Sequence, residues 1–405
     1  MYYKRDLEEK IERYRKSPEI IAIFGPRQVG KTTLLKELYA RSENAVFLSF
    51  EDIELKVLFE EDIKSFIALY IDPYDTIFID EFQYAKTGGK HLKYIYDTKR
   101  KKIFISGSSA MELSINAIKY LAGRIFVFHL YSFSFGEFLR VRDEKLHRLY
   151  EKSGEEISAP VAERIQHHME EYLVFGGYPR VILSQDDEER KEVLKNLLSI
   201  YLLRDIREIA GIADETRMYK LLKALALQIG SVVVYNELAT LVGIKSTKLK
   251  EYLAIFEKAF LLREVRPYFT NKRLEIVKNP KIYFLDLGLR NVLINNFSSR
   301  EERVDSGAML ENFVFRELIE REVKYYRTKS GAEVDFVVED EIPVEIKSKL
   351  SDLKVSRSYR YFLEHYRPSR GYVLNSNRFG EKRVEGIPVL FLPHFMAEKI
   401  QTSKA

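Results

Sequence analysis

Ile-Ile-Ala-Ile-Phe-Gly-Pro-Arg-Gln-Val-Gly-Lys-Thr-Thr, residues 20–33, is the stretch from which the rest of the chain is read. Ile20 to Phe24 is an unbroken apolar run, the pattern of a strand buried on both faces. A glycine-bounded loop follows, and Lys31 and Thr32 open a helix. Strand, loop and helix with the spacing G-x-x-x-x-G-K-T form the arrangement that cradles a nucleotide's phosphates. Gly25, Pro26, Arg27, Gln28, Val29 and Gly30 turn the backbone so that N–H groups point inward, and the helix N-terminus adds partial positive charge. Lys31 brings a full charge to the β- and γ-phosphates. The Thr32 hydroxyl suits Mg²⁺, which prefers hard oxygen ligands, and Thr33 carries the helix onward.

Working outward, Ala45 to Phe50 reads as a second buried strand and Thr76 to Asp80 as a third. The third ends in two acids, Asp80 and Glu81. At the C-terminal edge of a parallel sheet Asp80 can hold Mg²⁺, and Glu81 can orient or deprotonate an attacking water. Lys102 to Ile105 is a fourth strand, ending in Ser-Gly-Ser-Ser. There Ser106 or Ser108 either reports on the γ-phosphate or belongs to a turn capping a helix at 110–119. Arg124 to Leu130 is a fifth strand. Strands and helices alternate, so the first 135 residues predict a doubly wound α/β sheet.

Residues 20–33, 76–81 and 102–109 resemble AAA+ ATPases. Leu-Ala-Gly-Arg (121–124), Ser-Phe-Ser-Phe-Gly-Glu-Phe-Leu (132–139) and Phe-Gly-Gly-Tyr-Pro-Arg (175–180) are similar to a family of archaeal and bacterial ATPases. That family carries a P-loop core, a winged helix and a C-terminal nuclease-like domain. The resemblance implies that Arg124 serves a neighbouring subunit's γ-phosphate. It also implies that Pro179 packs near the base and Arg180 near the phosphates, in a helical lid. Arg27 meets a neighbouring subunit or nothing. A homo-oligomer, with a hexamer as the model, is expected because such sites complete one another between subunits.

Residues 141–175 and 186–210 read as helical, with Arg204 and Asp205 on a helix face or across an interface. The character then changes. Helix 217–229, Tyr235 to Val242, Gly243 and helix 246–260 precede a strand running into a basic tip, a winged helix-turn-helix pattern. Lys245, Ser246, Thr247, Lys248 and Lys250 on the second helix of the turn, with Asn271, Lys272 and Arg273 on the wing, suit DNA phosphates. A protein-binding or structural winged helix is the other reading. Pro280 to Val292 reads as a link.

The last stretch carries a second constellation: Glu311 on a helix, Asp335 on one strand, and Glu345 with Lys347 two residues apart on the next. Side chains alternate along a strand, so 345 and 347 share a face. Two carboxylates can bind Mg²⁺ or Mn²⁺, and a lysine can polarise a water. The order resembles the PD-(D/E)xK nuclease core, with Glu311 as its extra acid. The expected architecture is thus an α/β P-loop AAA+ core (1–140), a helical lid (141–214), a winged helix-turn-helix (215–300) and a restriction-endonuclease-like α/β domain (301–405). The tail at 400–405 is expected to fray.

The chain has 405 residues and a net charge of +5, which permits a nucleic-acid partner without demanding one. It has no cysteine, which excludes disulfides, thiolate metal sites and a cysteine nucleophile. No apolar run is long enough to span a bilayer, and the N-terminus lacks a signal peptide's apolar core, so a cytoplasmic protein is expected. Many charges with no cysteine or tryptophan lean towards a thermophile. The leading functional expectation is an ATP-hydrolysing protein acting on DNA, on branched or end structures, with Mg²⁺, and Mn²⁺ as an option at the nuclease-like site. The alternatives are a nucleotide-controlled switch without cleavage and a partner-triggered defence component.

Overall fold

The computed structural model describes residues 2–108, 119–154, 157–202, 206 and 214–402, the last three of the third stretch by backbone alone. The helix expected at 110–119 and the pair Arg204 and Asp205 lie outside the described residues. The first sheet is built from β1 (Ile20–Phe24), β2 (Ala45–Ser49), β3 (Thr76–Asp80), β4 (Lys102–Gly107) and β5 (Ile125–His129), in the order β2-β3-β4-β1-β5. All neighbours run parallel. Alternation explains why β1 is apolar throughout. Ile20, Ala22 and Phe24 enter one core with Phe50, Ile77 and Ile105, while Ile21 and Ile23 face the other with Leu34, Leu38 and Phe104. Both faces are covered, as a parallel sheet requires.

Helices Glu215–Leu227, Tyr235–Val242 and Ser246–Lys258 come next, followed by an antiparallel pair, β6 (Leu262–Val265) and β7 (Lys281–Phe284). Gly243 turns between two of these helices at φ +77°, in the left-handed region that glycine takes without strain. Two expectations fail here. Pro280 to Val292 is not a link but β7 and a helix, Leu287–Ile294. The four residues of β7 are all buried, which the sequence pattern alone does not reveal in so short a run. The basic tip is likewise a short helix, Lys272–Val277, capped by the Asn271 side chain.

The second sheet comprises β8 (Val323–Arg327), β9 (Glu333–Val338), β10 (Ile342–Ile346), β11 (Gly371–Asn375), β12 (Gly380–Val384) and β13 (Ile387–Pro393), ordered β12-β13-β11-β10-β9-β8. β9 and β10 form the expected hairpin, and β10, β11 and β13 run parallel. Helix Ser306–Glu317 joins the three parts. Asn312 exchanges hydrogen bonds with both main-chain groups of Phe284 at 2.8 Å. At the helix's C-terminal end Arg316 donates to the Leu285 and Ser132 carbonyls at 3.0 and 2.6 Å, and Glu317 accepts from the Phe135 N–H. The tail is docked further than expected: Ile400 is buried and its carbonyl accepts from Arg321.

Candidate functional site

The loop between β1 and helix Lys31–Ala40 sits at the C-terminal edge of the first sheet. Gly25 is demanded by packing, since a Cβ there would lie 2.0 Å from the Leu130 carbonyl oxygen at the end of β5. Gly30 has φ +98°, and Gln28 has φ +61°. Gly25, Pro26 and Val29 are buried, Arg27, Gly30 and Thr32 half-buried, and Gln28 and Thr33 exposed. The Lys31 ammonium donates to the Gly25 and Pro26 carbonyls at 3.0 and 2.8 Å, so it lies across the loop's own cradle.

Because β4 lies between β1 and β3, its end faces the acids of β3. Ser106 donates to the Asp80 carboxylate, and both are buried. Glu81 adopts φ +53°, a costly left-handed conformation for a residue other than glycine, and its carboxylate accepts from the Gln83 amide. Gln83 also accepts from the Ser108 N–H at 3.3 Å. The Ser108 hydroxyl is buried with no hydrogen-bond partner among the described residues. A buried hydroxyl left unpaired beside the acids, with Thr32 and Asp80 at the same sheet edge, fits a bound Mg²⁺–nucleotide.

Arg5 is a member of this site that sequence reading passed over. It is buried, and its guanidinium donates to the Val29 carbonyl of the loop at 2.8 Å, the Tyr131 carbonyl at 2.8 Å and the Glu137 carboxylate at 2.9 Å. It also lies over the Phe133 ring, 4.5 Å from its centroid. Nothing in the local sequence marks it out, because all its partners are remote except by folding. Glu137 also closes a capping box with Ser134, the one local signal in the group.

Arg124 stands at the other end of the sheet. Register pairs Ile20 with Ile125 and Phe24 with His129, so Arg124 precedes the edge away from the loop, where it pairs with Asp97 at 2.8 Å. Its own nucleotide site is therefore out of its reach. Pro179 begins a short helix, Pro179–Ile182; Tyr178 just before it and Val181 within it share a core with Val29. Arg180 is exposed and pairs with Glu189. The glycines before it have a packing role: a Cβ on Gly176 (φ +73°) would lie 2.2 Å from an Asp286 carboxylate oxygen, and Asp286 accepts from the Gly177 N–H at 2.9 Å.

Of the expected DNA contacts, Lys245, Thr247, Lys248 and Lys250 are exposed along helix Ser246–Lys258 and the residue preceding it. Lys248 pairs with Glu251 at 2.8 Å, and Lys250 lies over the Tyr235 ring. Lys272, also exposed, bridges Glu275 and Asp340, at 3.1 and 2.7 Å, and so ties the tip to the β9–β10 turn. Arg273 is exposed beside it.

The second constellation does converge. Register places Asp335 one step beyond the pair Phe336–Val344, opposite Glu345, and its carboxylate accepts from the Ile346 N–H at 2.7 Å. Glu345 is buried and bound by Lys347 at 2.9 Å. Enclosure, with Glu311 and Glu345 adding like charge, pushes Asp335 up to about 7. Lys347 rises because of Glu345, against the effect of its own burial. Glu311 is held by two groups that sequence reading missed, the Lys281 ammonium at 2.9 Å and the Tyr283 hydroxyl. Among the described residues no group of three carboxylate or histidine side chains is arranged to hold a metal ion. The expected pair, Asp335 and Glu345, is a smaller set than that, and the two carboxylates stand at adjoining register positions of the hairpin. His394 completes the surroundings, fully buried, with one ring nitrogen 3.0 Å from the Lys347 carbonyl oxygen. Burial, helped by Arg300, lowers it to about 3.

Residues 17–139 match the model of the AAA domain. Residues 166–300 and 306–395 match two further models, each described as a domain of unknown function. An uncharacterized protein of Methanocaldococcus jannaschii is 26% identical, over 96% of this chain and 86% of that protein. One from Haemophilus influenzae is 23% identical, over 96% and 97%. Among solved structures, Cdc6p from Pyrobaculum aerophilum aligns with a TM-score of 0.25 at 12% identity, covering 73% of this chain and 95% of that one. The Bacillus subtilis DNA clamp loader delta protein aligns with a TM-score of 0.27 at 9% identity, covering 76% and 97%. By that family match, residues 17–139 are similar to AAA-type, nucleotide-binding P-loop domains. No helix among the described residues is long and apolar enough to cross a membrane.

Proposed function

We propose that this chain binds and hydrolyses ATP at the β1–β3–β4 edge and uses the cycle to act on DNA. The observation that carries the ATPase reading is the contact between Ser106 and Asp80, with Lys31 lying across the loop beside them. In this reading Lys31 neutralises charge on the β- and γ-phosphates, and Thr32 and Asp80 hold Mg²⁺, which supplies further charge neutralisation. Glu81, fixed by its backbone and by Gln83, orients the attacking water. Ser106 keeps the Asp80 carboxylate in one rotamer. Arg124, remote from its own loop, is left to serve a second copy, and Pro179 and Arg180 belong to a lid over the nucleotide.

The winged-helix reading of residues 215–300 rests on three helices followed by the β6–β7 pair. It makes Lys245, Thr247, Lys248 and Lys250 the DNA-facing set, with Arg273 beside them and Lys272 as a strut. The nuclease-like reading of residues 301–405 rests on Asp335, Glu345 and Lys347 meeting on one hairpin. In that reading Asp335 and Glu345 would hold Mg²⁺ or Mn²⁺ and Lys347 would polarise a water.

A second reading, a nucleotide-controlled switch, is favoured by a specific run of contacts. Val29 of the loop is bound by Arg5, which also holds Tyr131; Ser132 and Phe135 are bound by Arg316 and Glu317, on the helix that carries Glu311. The test is DNA affinity as a function of salt, with and without ATP. The DNA reading expects micromolar or tighter binding, weakening steeply with salt and reduced in Lys245→Glu/Lys248→Glu. No salt-dependent binding to single-stranded, duplex, forked or junction DNA would reject it and leave the switch.

A further inference from the structure

Helix Lys272–Val277 is turned inside out. Its acid, Glu275, is 8% exposed, while its aliphatic residues Leu274, Ile276 and Val277 are exposed, the last two at 77% each. Single exposed aliphatics are ordinary, but three on one six-residue helix form a patch that the fold itself does not cover. The acid holds the helix this way round. Glu275 accepts from the Phe269 N–H and from Lys272, each at 3.1 Å, and pairs with Lys324 of β8 at 3.2 Å. Turning the aliphatics inward would take a buried carboxylate from its partners, which is strongly unfavourable.

The surroundings of the patch are cationic. Lys272, Arg273 and Lys278 are exposed on the helix and just after it. Two acids close by are already paired: Asp340 with Lys272 and Lys324, both at 2.7 Å, and Glu264 with Arg266. The patch also adjoins helix Ser246–Lys258. Arg266 donates to the Ile276 carbonyl at 3.4 Å and stands beside Tyr235, whose ring lies 5.0 Å from the Lys250 ammonium. An occupant that suits this face brings negative charge around an apolar interior. A DNA duplex does so: phosphates line its outside, and a base step opened by an aliphatic side chain offers its stacking faces.

We propose that Ile276 and Val277 form a wedge that enters a DNA duplex between base pairs and unstacks them, with Arg273 and Lys278 on the flanking phosphates. The inference rests on the DNA reading above and adds to it what the contact does to the duplex.

The experiment adds the full chain to fluorescein-labelled duplex and forked DNA, with 2-aminopurine walked through successive positions, in the presence and absence of ATP and Mg²⁺. Anisotropy reads binding, and 2-aminopurine fluorescence reads unstacking. The wild type is expected to raise that fluorescence about threefold or more at one step of the DNA. Ile276→Ser/Val277→Ser, at two exposed positions where folding is little affected, is expected to bind within about tenfold of wild type and to lose the rise. Ile276→Leu/Val277→Leu, which keeps the aliphatic bulk, is expected to retain it. DNA bound with no rise at any position, or a rise that survives in the serine variant, overturns the wedge and leaves the DNA reading standing. No DNA bound overturns both. Self-association or binding to phosphatidylserine vesicles that depends on Ile276 and Val277, without unstacking, gives the patch to a second copy or to a membrane and overturns the wedge.

Discussion

Replacing Arg5 by alanine removes a guanidinium that three separate parts of the chain share. Arg5 and Glu137 are both nearly inaccessible, at 4% and 5% exposure, and their charges meet at 2.9 Å. Deleting one partner strands the Glu137 carboxylate in a buried place, at a cost of about 3–5 kcal/mol. Glu137 keeps bonds from the Asp6 and Ser134 N–H groups, which holds the cost from rising further. The Val29 and Tyr131 carbonyls also lose their donors, adding about 1 kcal/mol each where water cannot replace them. Arg5→Ala is therefore expected to lose about 4–6 kcal/mol, read from urea unfolding. Arg5→Lys keeps a charge against Glu137 but cannot span three acceptors, and about 1–3 kcal/mol is expected. Removing both charges, as Arg5→Met/Glu137→Leu, should cost less than Arg5→Ala alone. Because Val29 lies in the phosphate loop, Arg5→Ala should also weaken nucleotide binding about tenfold, or 1.4 kcal/mol. An Arg5→Ala protein within about 1 kcal/mol of wild type, with unchanged nucleotide affinity, would refute the reasoning.

Other consequences are as direct. Ser106→Ala leaves Asp80 without its buried partner and should slow ATP turnover by about 10–100-fold with little effect on folding. Gly176→Ala forces a Cβ against Asp286 in a left-handed backbone and should destabilise by roughly 2–4 kcal/mol, seen as a lower urea midpoint. His394 titrates near 6.5 when unfolded and near 3 when folded, so the unfolded chain binds the extra proton in between. Its contribution is fully present above pH 6.5 and is lost as pH falls towards 3, at about 1.4 kcal/mol per unit. Comparing wild type with His394→Gln at pH 7 and pH 5 isolates that slope, and equal pH dependence in the two would contradict the assignment.

The first sheet was legible because β1, β3 and β4 are apolar runs that stop at a glycine or an acid, and the loop after β1 fixes what they carry. Asp80 and Lys31 followed from that pattern, Ser106 was one of two candidates, and the order of the strands explains why it touches Asp80. The tip at Lys272 was read as a wing but is a short helix, and one of the two partners of Lys272, Asp340, lies far along the chain where local pattern cannot show it. Lys281 and β7 were hidden for the same reason: four residues give too little periodicity, and the acids that make Lys281 matter lie 30 to 54 positions later. Arg5 had no signal except its eventual partners. Local pattern announces strands and phosphate loops, whereas buried charges are specified by contacts that exist only after folding.

The most direct test of the central claim is ATP hydrolysis by the purified chain with Mg²⁺, beside nucleotide binding, in wild type, Lys31→Ala and Glu81→Gln. Turnover in the wild type is expected. Lys31→Ala should lose both binding and turnover, and Glu81→Gln should bind ATP without hydrolysing it. A wild type that binds no nucleotide, or a Lys31→Ala variant that hydrolyses ATP at the wild-type rate, would contradict the account.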